Sequence, residues 1–393
     1  MAEKTVYLDH AATTPLKKEV LDEMMPFLTI NYGNPSSVYS AGRTSKNAIE
    51  DARERVAKAI NANINEIFFT SGGTESDNWA IRGAAYANKD KGKHIITSLI
   101  EHHAVLNTCR QLEKEGFEVT YLAPDEFGII HEKLVEDAIR KDTILISIMF
   151  ANNEIGTIQP IEGIGKIAKE KGIIFHTDAV QAIGNIPVDI KELYVDLLSI
   201  SGHKFYGPKG VGVLYVKKGT KLQNYILGGA QERNKRAGTE NVAGIAGIGK
   251  AIELASERLE DYEKHTRMLR DKTIEYIINN IPYVKLNGTI EKRLPGNVNI
   301  AFQFIEAESA IIMLDCKGIA ASSGSACASG SLDPSHVLLA IGLPHEIAHG
   351  SLRFSFGEEN TVEDIDWFLG VLKEVMIKLR TMSPLYNSLM KNQ

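Results

Sequence analysis

The chain has 393 residues, 44% of them apolar and 24% charged, with 33 glycines scattered among only 12 prolines. This is the profile of a globular chain of two to three domains at ~150 residues each, and it excludes collagenous and low-complexity classes. The 44 basic and 50 acidic residues leave a net charge of −6, which argues against nucleic acid or an anionic membrane as the main partner. No uncharged apolar run approaches the ~20 residues of a membrane span. The opening Met1-Ala2-Glu3-Lys4-Thr5 carries no signal-peptide pattern and leads into strand-like Val6-Tyr7-Leu8. Three cysteines, Cys109, Cys316 and Cys327, are too few for a disulfide framework and suit a reducing cytoplasm.

Along the first two-thirds, apolar strands alternate with amphipathic helices. Strands are predicted at Glu66–Thr70, His94–Ser98, Phe117–Leu122, Thr143–Phe150, Gly172–Thr177, Asp196–Ser201 and Val211–Val216. Several lack alternation, as strands covered on both faces do. Ala48, Ile49, Ala52, Val56, Ala59 and Ile60 share one helical face, and 103–115 and 161–171 read similarly. The alternation predicts an α/β fold with a mostly parallel sheet. From Gly219 to Gly238 the chain turns polar, and a long helical region is expected over about 241–281. Thereafter come a strand at Asn297–Phe302, a helix at Ala307–Asp315, a strand at Leu352–Phe356 and a final helix from Thr361, whose pairing with Asp364 resembles a capping box. The expected division is a large cofactor-binding domain, 14–258, and a smaller α+β domain formed by 1–13 and 259–393.

Ligands of α/β sheets bind beyond the carboxyl ends of the strands, where the unusual polar segments of this chain fall. Ser71-Gly72-Gly73-Thr74-Glu75-Ser76 reads as a turn whose backbone N–H groups could cradle an anion at a helix start, or as a tight turn capped by Thr74. Asp178 follows the fifth predicted strand, Gly172–Thr177, and is either a helix cap or a site carboxylate. Lys204 follows the next strand directly, where desolvation makes a lysine a Schiff-base nucleophile; Lys209, between Pro208 and Gly210, reads as a loop residue. An anion cradle, an aspartate and a lysine 26 residues later together match what pyridoxal 5′-phosphate requires.

The chain resembles the class I cysteine desulfurases of the NifS/IscS type, in the class-V aminotransferase group of fold-type I pyridoxal-phosphate enzymes. The stretches that carry the likeness are Tyr7 to Thr14, Gly33-Asn34-Pro35-Ser36-Ser37, Ser71 to Asn78, Glu101-His102, Asn152 to Gly156, His176 to Gln181, Ser201 to Gly212, Gly228 to Asn241, Ser322 to Cys327, and Leu352-Arg353-Phe354-Ser355. They occur in family order over nearly the whole length.

The resemblance implies a role for each. Lys204 would bond the cofactor and move the substrate Cα proton. Asp178 would pair with the ring nitrogen, Gln181 with the ring oxygen, and His102 would stack on the ring. Gly73, Thr74, Ser201 and His203 would hold the phosphate, with Thr239 supplied by a second subunit of a homodimer. Arg353, helped by Asn153, would clamp the substrate carboxylate, although an internal salt bridge would also satisfy it. Cys327 would take the substrate sulfur as a persulfide. It lies in Ala320–Ser331, a run made almost wholly of Ala, Ser and Gly, and a mobile loop is expected over about 321–334. Cys109 and Cys316 read as buried packing residues, and His103 as a surface or helix-start residue. No intrinsic metal is expected, although Cys327 could ligate a 2Fe–2S cluster transiently. The implied reaction converts L-cysteine to L-alanine, with an iron–sulfur scaffold protein or a tRNA-thiolation relay as sulfur acceptor. A selenocysteine lyase, an aminotransferase or an inactive scaffold are the alternatives, and the reactive thiol argues against the second.

Overall fold

A computed structural model describes residues 5–323 and 334–391 of the chain. Cys327 and most of the expected 321–334 loop lie outside the described residues. In chain order the strands are β1 (Val6–Tyr7), β2 (Ile67–Thr70), β3 (His94–Ser98), β4 (Glu118–Leu122), β5 (Thr143–Ser147), β6 (Ile174–Asp178), β7 (Leu197–Ser201), β8 (Gly212–Val216), β9 (Val284–Leu286), β10 (Asn297–Phe302), β11 (Ile319–Ala320) and β12 (Ser351–Ser355).

Seven of these form the central sheet in the order β2-β8-β7-β6-β5-β3-β4. Only β8 runs against its neighbours, so β2 points the same way as the parallel strands beyond it. The carboxyl ends of β2, β3, β5, β6 and β7 therefore share one edge. Most of these strands are buried on both faces, which explains their unbroken apolar runs. The seven predicted strands are reproduced with small shifts. Glu66 closes a 3₁₀ turn, Ile64–Glu66, where its carboxylate completes a capping box with Asn63. Past Ser147 the β5 ladder loosens but continues, with the Ile148 and Phe150 N–H groups donating to His176 and Asp178 carbonyls.

The helical region expected over 241–281 is two helices, Val242–Glu257 and Leu259–Asn280, broken at Arg258. The first is lined with small residues. A Cβ at Gly249 would meet Ala52 Cβ at 2.6 Å, so that glycine is what lets it lie close against the helix Ser40–Ala59. The final helix, Val362–Met382, starts at the Thr361–Asp364 capping box and presents Ile365, Phe368, Leu369 and Leu372 inward.

Val6 and Leu8 do not pack on the central sheet. They join Leu269, Val298, Phe354, Phe368 and Met376 in a separate apolar cluster, because β1 pairs in parallel with β11. Beside it, β12, β10 and β9 form an antiparallel sheet. The N-terminal segment thereby runs across the strand ends of the central sheet, with Ala11, Ala12 and Thr13 at the cavity described next. Cys109 is buried as expected, but Cys316 is exposed: it caps the helix Ala307–Asp315, where the chain turns outward beyond the apolar stripe. Among the described residues, no helix is long and apolar enough to cross a membrane.

Candidate active site

A cavity of about 580 Å³ opens at the carboxyl edge of the central sheet. Of the residues singled out from the sequence, it is lined by Gly73, Thr74, His102, Asn153, Asp178, Gln181, Ser201, His203, Lys204 and Arg353. Thr239 is exposed and does not line it. Cys327 lies outside the described residues.

One wall is the start of the helix Gly73–Asn88. Its cap is Gly72, not Thr74; Gly72 adopts φ +151°, a conformation that side chains disfavour. A Cβ on Gly73 would meet Val180 Cγ2 at 2.7 Å. Glycine at both positions therefore keeps the helix N-terminus open, and its unpaired N–H groups and dipole favour an anion there. Glu75 closes the turn from outside: its Oε2 accepts the Ser71 N–H at 2.8 Å, and Arg236 forks onto it at 2.9 and 3.0 Å. Arg233 points elsewhere, toward the Ile64 carbonyl and Glu50.

Asp178 ends β6 with its Oδ1 accepting the Val180 N–H at 2.9 Å. Burial raises its carboxyl to about 6, against the opposing pull of that N–H group and of Lys204. Lys204 leaves the turn after β7 and donates from Nζ to the Ala11 and Ala12 carbonyls at 2.8 and 2.7 Å. Gln181 donates to the same Ala11 carbonyl at 2.9 Å. His203 Nδ1 lies 3.1 Å from Thr13 Oγ1, and burial beside Lys204 lowers the ring to about 4. His102 caps the helix His103–Lys114, its Nδ1 accepting the Ala104 N–H at 3.1 Å. That bond places the proton on Nε2, and burial, reinforced by Lys204, holds the imidazole neutral with a value near about 4.

Arg353, buried on β12, donates to the Asn153 carbonyl at 2.9 Å and to Asp9 Oδ1 at 2.6 Å. The internal ion pair and the cavity position thus coexist. His103 opens its helix as expected, yet it also lines the cavity, with its ring 4.7 Å from that of His336. Lys209 is a loop residue at the same mouth.

The cavity also holds residues given no role from the sequence: Asp77 and Glu101 in the floor, His336 at the mouth, and the Ala11 and Ala12 carbonyls. Ala11 and Ala12 offered no signal, since an alanine carbonyl acts only where the fold brings it. Asp77 offered one, a carboxylate a helical turn past Gly73 amid residues that end up buried.

A family model of the class-V aminotransferases matches residues 6–368. The chain belongs to that family. It is 61% identical to a protein named cysteine desulfurase IscS from Methanosarcina thermophila, over 97% of this chain and 94% of the other. Among solved structures, a NifS-like protein superposes with a TM-score of 0.90 at 40% identity, covering 95% of this chain and 99% of that one. A structure described as SspA in complex with cysteine superposes with a TM-score of 0.79, again at 40% identity, over 90% and 99%. This member of the family is a pyridoxal-phosphate-dependent cysteine desulfurase of the NifS/IscS type. The cavity fits that cofactor: it sets an open helix N-terminus for a phosphate, a buried carboxylate for a ring nitrogen and a lysine amine around one space.

Proposed function

We propose that this desulfurase turns L-cysteine into L-alanine on the ten cavity residues named above and hands the sulfur to Cys327, which carries it as a persulfide to an iron–sulfur scaffold protein or a tRNA-thiolation relay in the cytoplasm. The observation that carries the residue assignment is the convergence of Lys204, Asp178 and the Gly72-Gly73 turn on one cavity. When bound, pyridoxal phosphate supplies an electron sink for negative charge developed at the substrate Cα.

Gly73, Thr74, Ser201 and His203 would hold the phosphate, and Asp178 would pair with the ring nitrogen. Gln181 would meet the ring oxygen and His102 would lie against the ring. Arg353 grips the substrate carboxylate through its guanidinium fork, with Asn153 beside it, while Asp9 fixes the orientation of the fork from behind. Lys204 removes the Cα proton and returns one to the product. Its amine is steered by the Ala11 and Ala12 carbonyls, which sit where the N-terminal segment crosses the cavity. The Cys327 thiolate attacks the substrate Sγ: an S–S bond forms and the Cβ–Sγ bond breaks, with a proton then taken up at Cβ.

The small domain, 1–13 and 259–393, supplies Asp9, the Ala11 and Ala12 carbonyls, Cys327 and Arg353, and the large domain, 14–258, supplies the rest. The active form is a homodimer in which Thr239 reaches the phosphate of the opposite subunit. Support comes from its exposed position outside the cavity of its own chain, and from the exposed apolar residues Leu28, Ile30, Tyr32, Val38 and Tyr39.

The test is alanine and sulfide release from L-cysteine with a reductant, by the wild type and by Cys327→Ala, both loaded with cofactor. Turnover by the wild type alone supports the persulfide route. Full turnover by the variant removes Cys327 from the reaction and moves selenocysteine lyase forward.

A further inference from the structure

Asp77 stands one helical turn past Gly73, and its side chain faces the cavity floor with only 1% of its surface exposed. Its Oδ1 has no hydrogen-bond partner. His176 Nε2 on β6 lies 3.6 Å from that atom. Both nitrogens of His176 are already engaged, Nδ1 by the Ser147 hydroxyl at 2.9 Å and Nε2 by that of Ser199 at 3.0 Å. Glu101, from the turn after β3, enters the same floor. Its Oε1 accepts from Ser98 Oγ at 2.6 Å and from the Met149 N–H at 3.0 Å, while Oε2 is without a partner.

Asp77 and Glu101 thus share one buried floor with Asp178, the cation facing it being Lys204. Carboxylates this close and this buried cannot all ionise, because each charge lacks water and raises the cost of the next. Glu101 and Asp178 each take a backbone N–H bond, and Asp178 is the one that combines it with the pull of the nearby Lys204 cation. We propose that Asp77 is a positioning residue for the cofactor ring: it keeps its proton beside Asp178, so that the floor carries a single negative charge, on Asp178, beneath the ring nitrogen. The inference rests on Asp178 facing that nitrogen.

The electrostatics agree in direction. Burial, then the neighbouring Asp178, pushes Asp77 well above the usual carboxylate range against the opposing hydrogen bond of the Ser199 hydroxyl, and burial holds Glu101 at about 8. Burial also keeps His176 neutral, at about 3, so no imidazolium offsets a second anion. One anion under one protonated ring nitrogen leaves the floor balanced. A second would stand unpaired out of water. The rival arrangement transfers the proton to His176 and makes Asp77 a carboxylate.

The experiment uses holoenzyme labelled with ¹³C-carboxyl aspartate and ring-¹⁵N pyridoxal phosphate. At neutral pH, the infrared difference between wild type and Asp77→Asn should show the loss of one protonated-carboxyl stretch. The ring-nitrogen resonance should remain that of the protonated form. The pH midpoint of the visible absorption band should move by less than about 0.3 unit, where removing a unit charge would move it by about one unit or more. Loss of an ionised-carboxylate band, or a midpoint shift of that larger size, overturns the proposal.

Should Asp77→Asn fail to fold, Asp178→Asn gives the same decision. The acid stretch persists in it if Asp77 carries the proton and vanishes if Asp178 does. That variant also isolates the underlying reading, because a ring nitrogen that stays protonated without Asp178 shows that Asp178 does not face it, whatever the acid band reports.

Discussion

Arg353 shows how one residue serves fold and site together. A guanidinium enclosed on β12 needs a carboxylate or carbonyls around it, and Asp9 and Asn153 supply both. Lysine keeps the charge but loses the planar fork, so Arg353→Lys should raise KM for cysteine by roughly 10- to 100-fold with a smaller change in kcat; steady-state alanine release measures the split. Glu101 makes a different prediction. Burial holds its carboxyl at about 8, from an ordinary 4.5. Between these values the unfolded chain has lost a proton that the native protein keeps, so the stability owed to the neutral acid is whole at low pH and declines as pH rises toward about 8. In the cofactor-free protein, the melting temperature of Glu101→Gln should therefore fall less than that of the wild type between about pH 5.5 and about pH 8.5.

Individual elements carry strain and packing that can be probed alone. Glu232, Arg233 and Asn234 form a left-handed turn, at φ +42°, +58° and +65°. It is held by the buried pairing of Glu232 with Arg53, two bonds at 2.8 Å, and by the Phe69 N–H at 2.9 Å. Asparagine is the side chain that best tolerates this region after glycine, which suits Asn234 to the turn. Asn234→Val should cost about 1–2 kcal/mol in urea unfolding and Asn234→Gly close to nothing. In the smaller apolar cluster, the fully buried Phe368 lies with its ring 4.7 Å from that of Phe354. Phe368→Ala should lower stability by about 3–5 kcal/mol, read in the same way.

At the scale of the whole molecule, the site is a product of strand order. Residues from β2, β3, β5, β6 and β7 meet because those strands end on one edge, and the segment from Asp9 to Thr13 closes over that edge because Val6 and Tyr7 are tied to β11. A composite dimer site makes a prediction of its own. Lys204→Ala should abolish turnover, and Thr239→Ala should weaken cofactor retention by roughly 10-fold, as expected for one lost phosphate contact at ~1.4 kcal/mol. Mixed dimers of the two variants contain one site with both Lys204 and the opposite Thr239. They should recover half the wild-type sites' turnover with wild-type cofactor retention at those sites; failure to recover retention would place the Thr239 contact within its own chain.

How much of this was legible in the sequence varies with distance along the chain. The periodicity of apolar residues marked the strands and most helices, because burial on two faces or one leaves a local imprint, and the Thr361–Asp364 cap could be read directly. The spacing of the Gly72-Gly73 turn, Asp178 and Lys204 pointed to the cofactor, since each residue type has a chemical reason to stand at a strand end. The break at Arg258 and the exposure of Cys316 were not legible: both depend on what lies opposite, not on the local pattern. Local pattern was enough for the sheet's class and for placing Gly73, Asp178 and Lys204 at strand ends. Only the tertiary structure decided that the Ala11 and Ala12 carbonyls hold Lys204, that Asp9 holds Arg353, and that Asp77, Glu101 and Asp178 crowd one floor, because hydrogen bonds and charge repulsion act across a few ångströms between residues up to 344 positions apart.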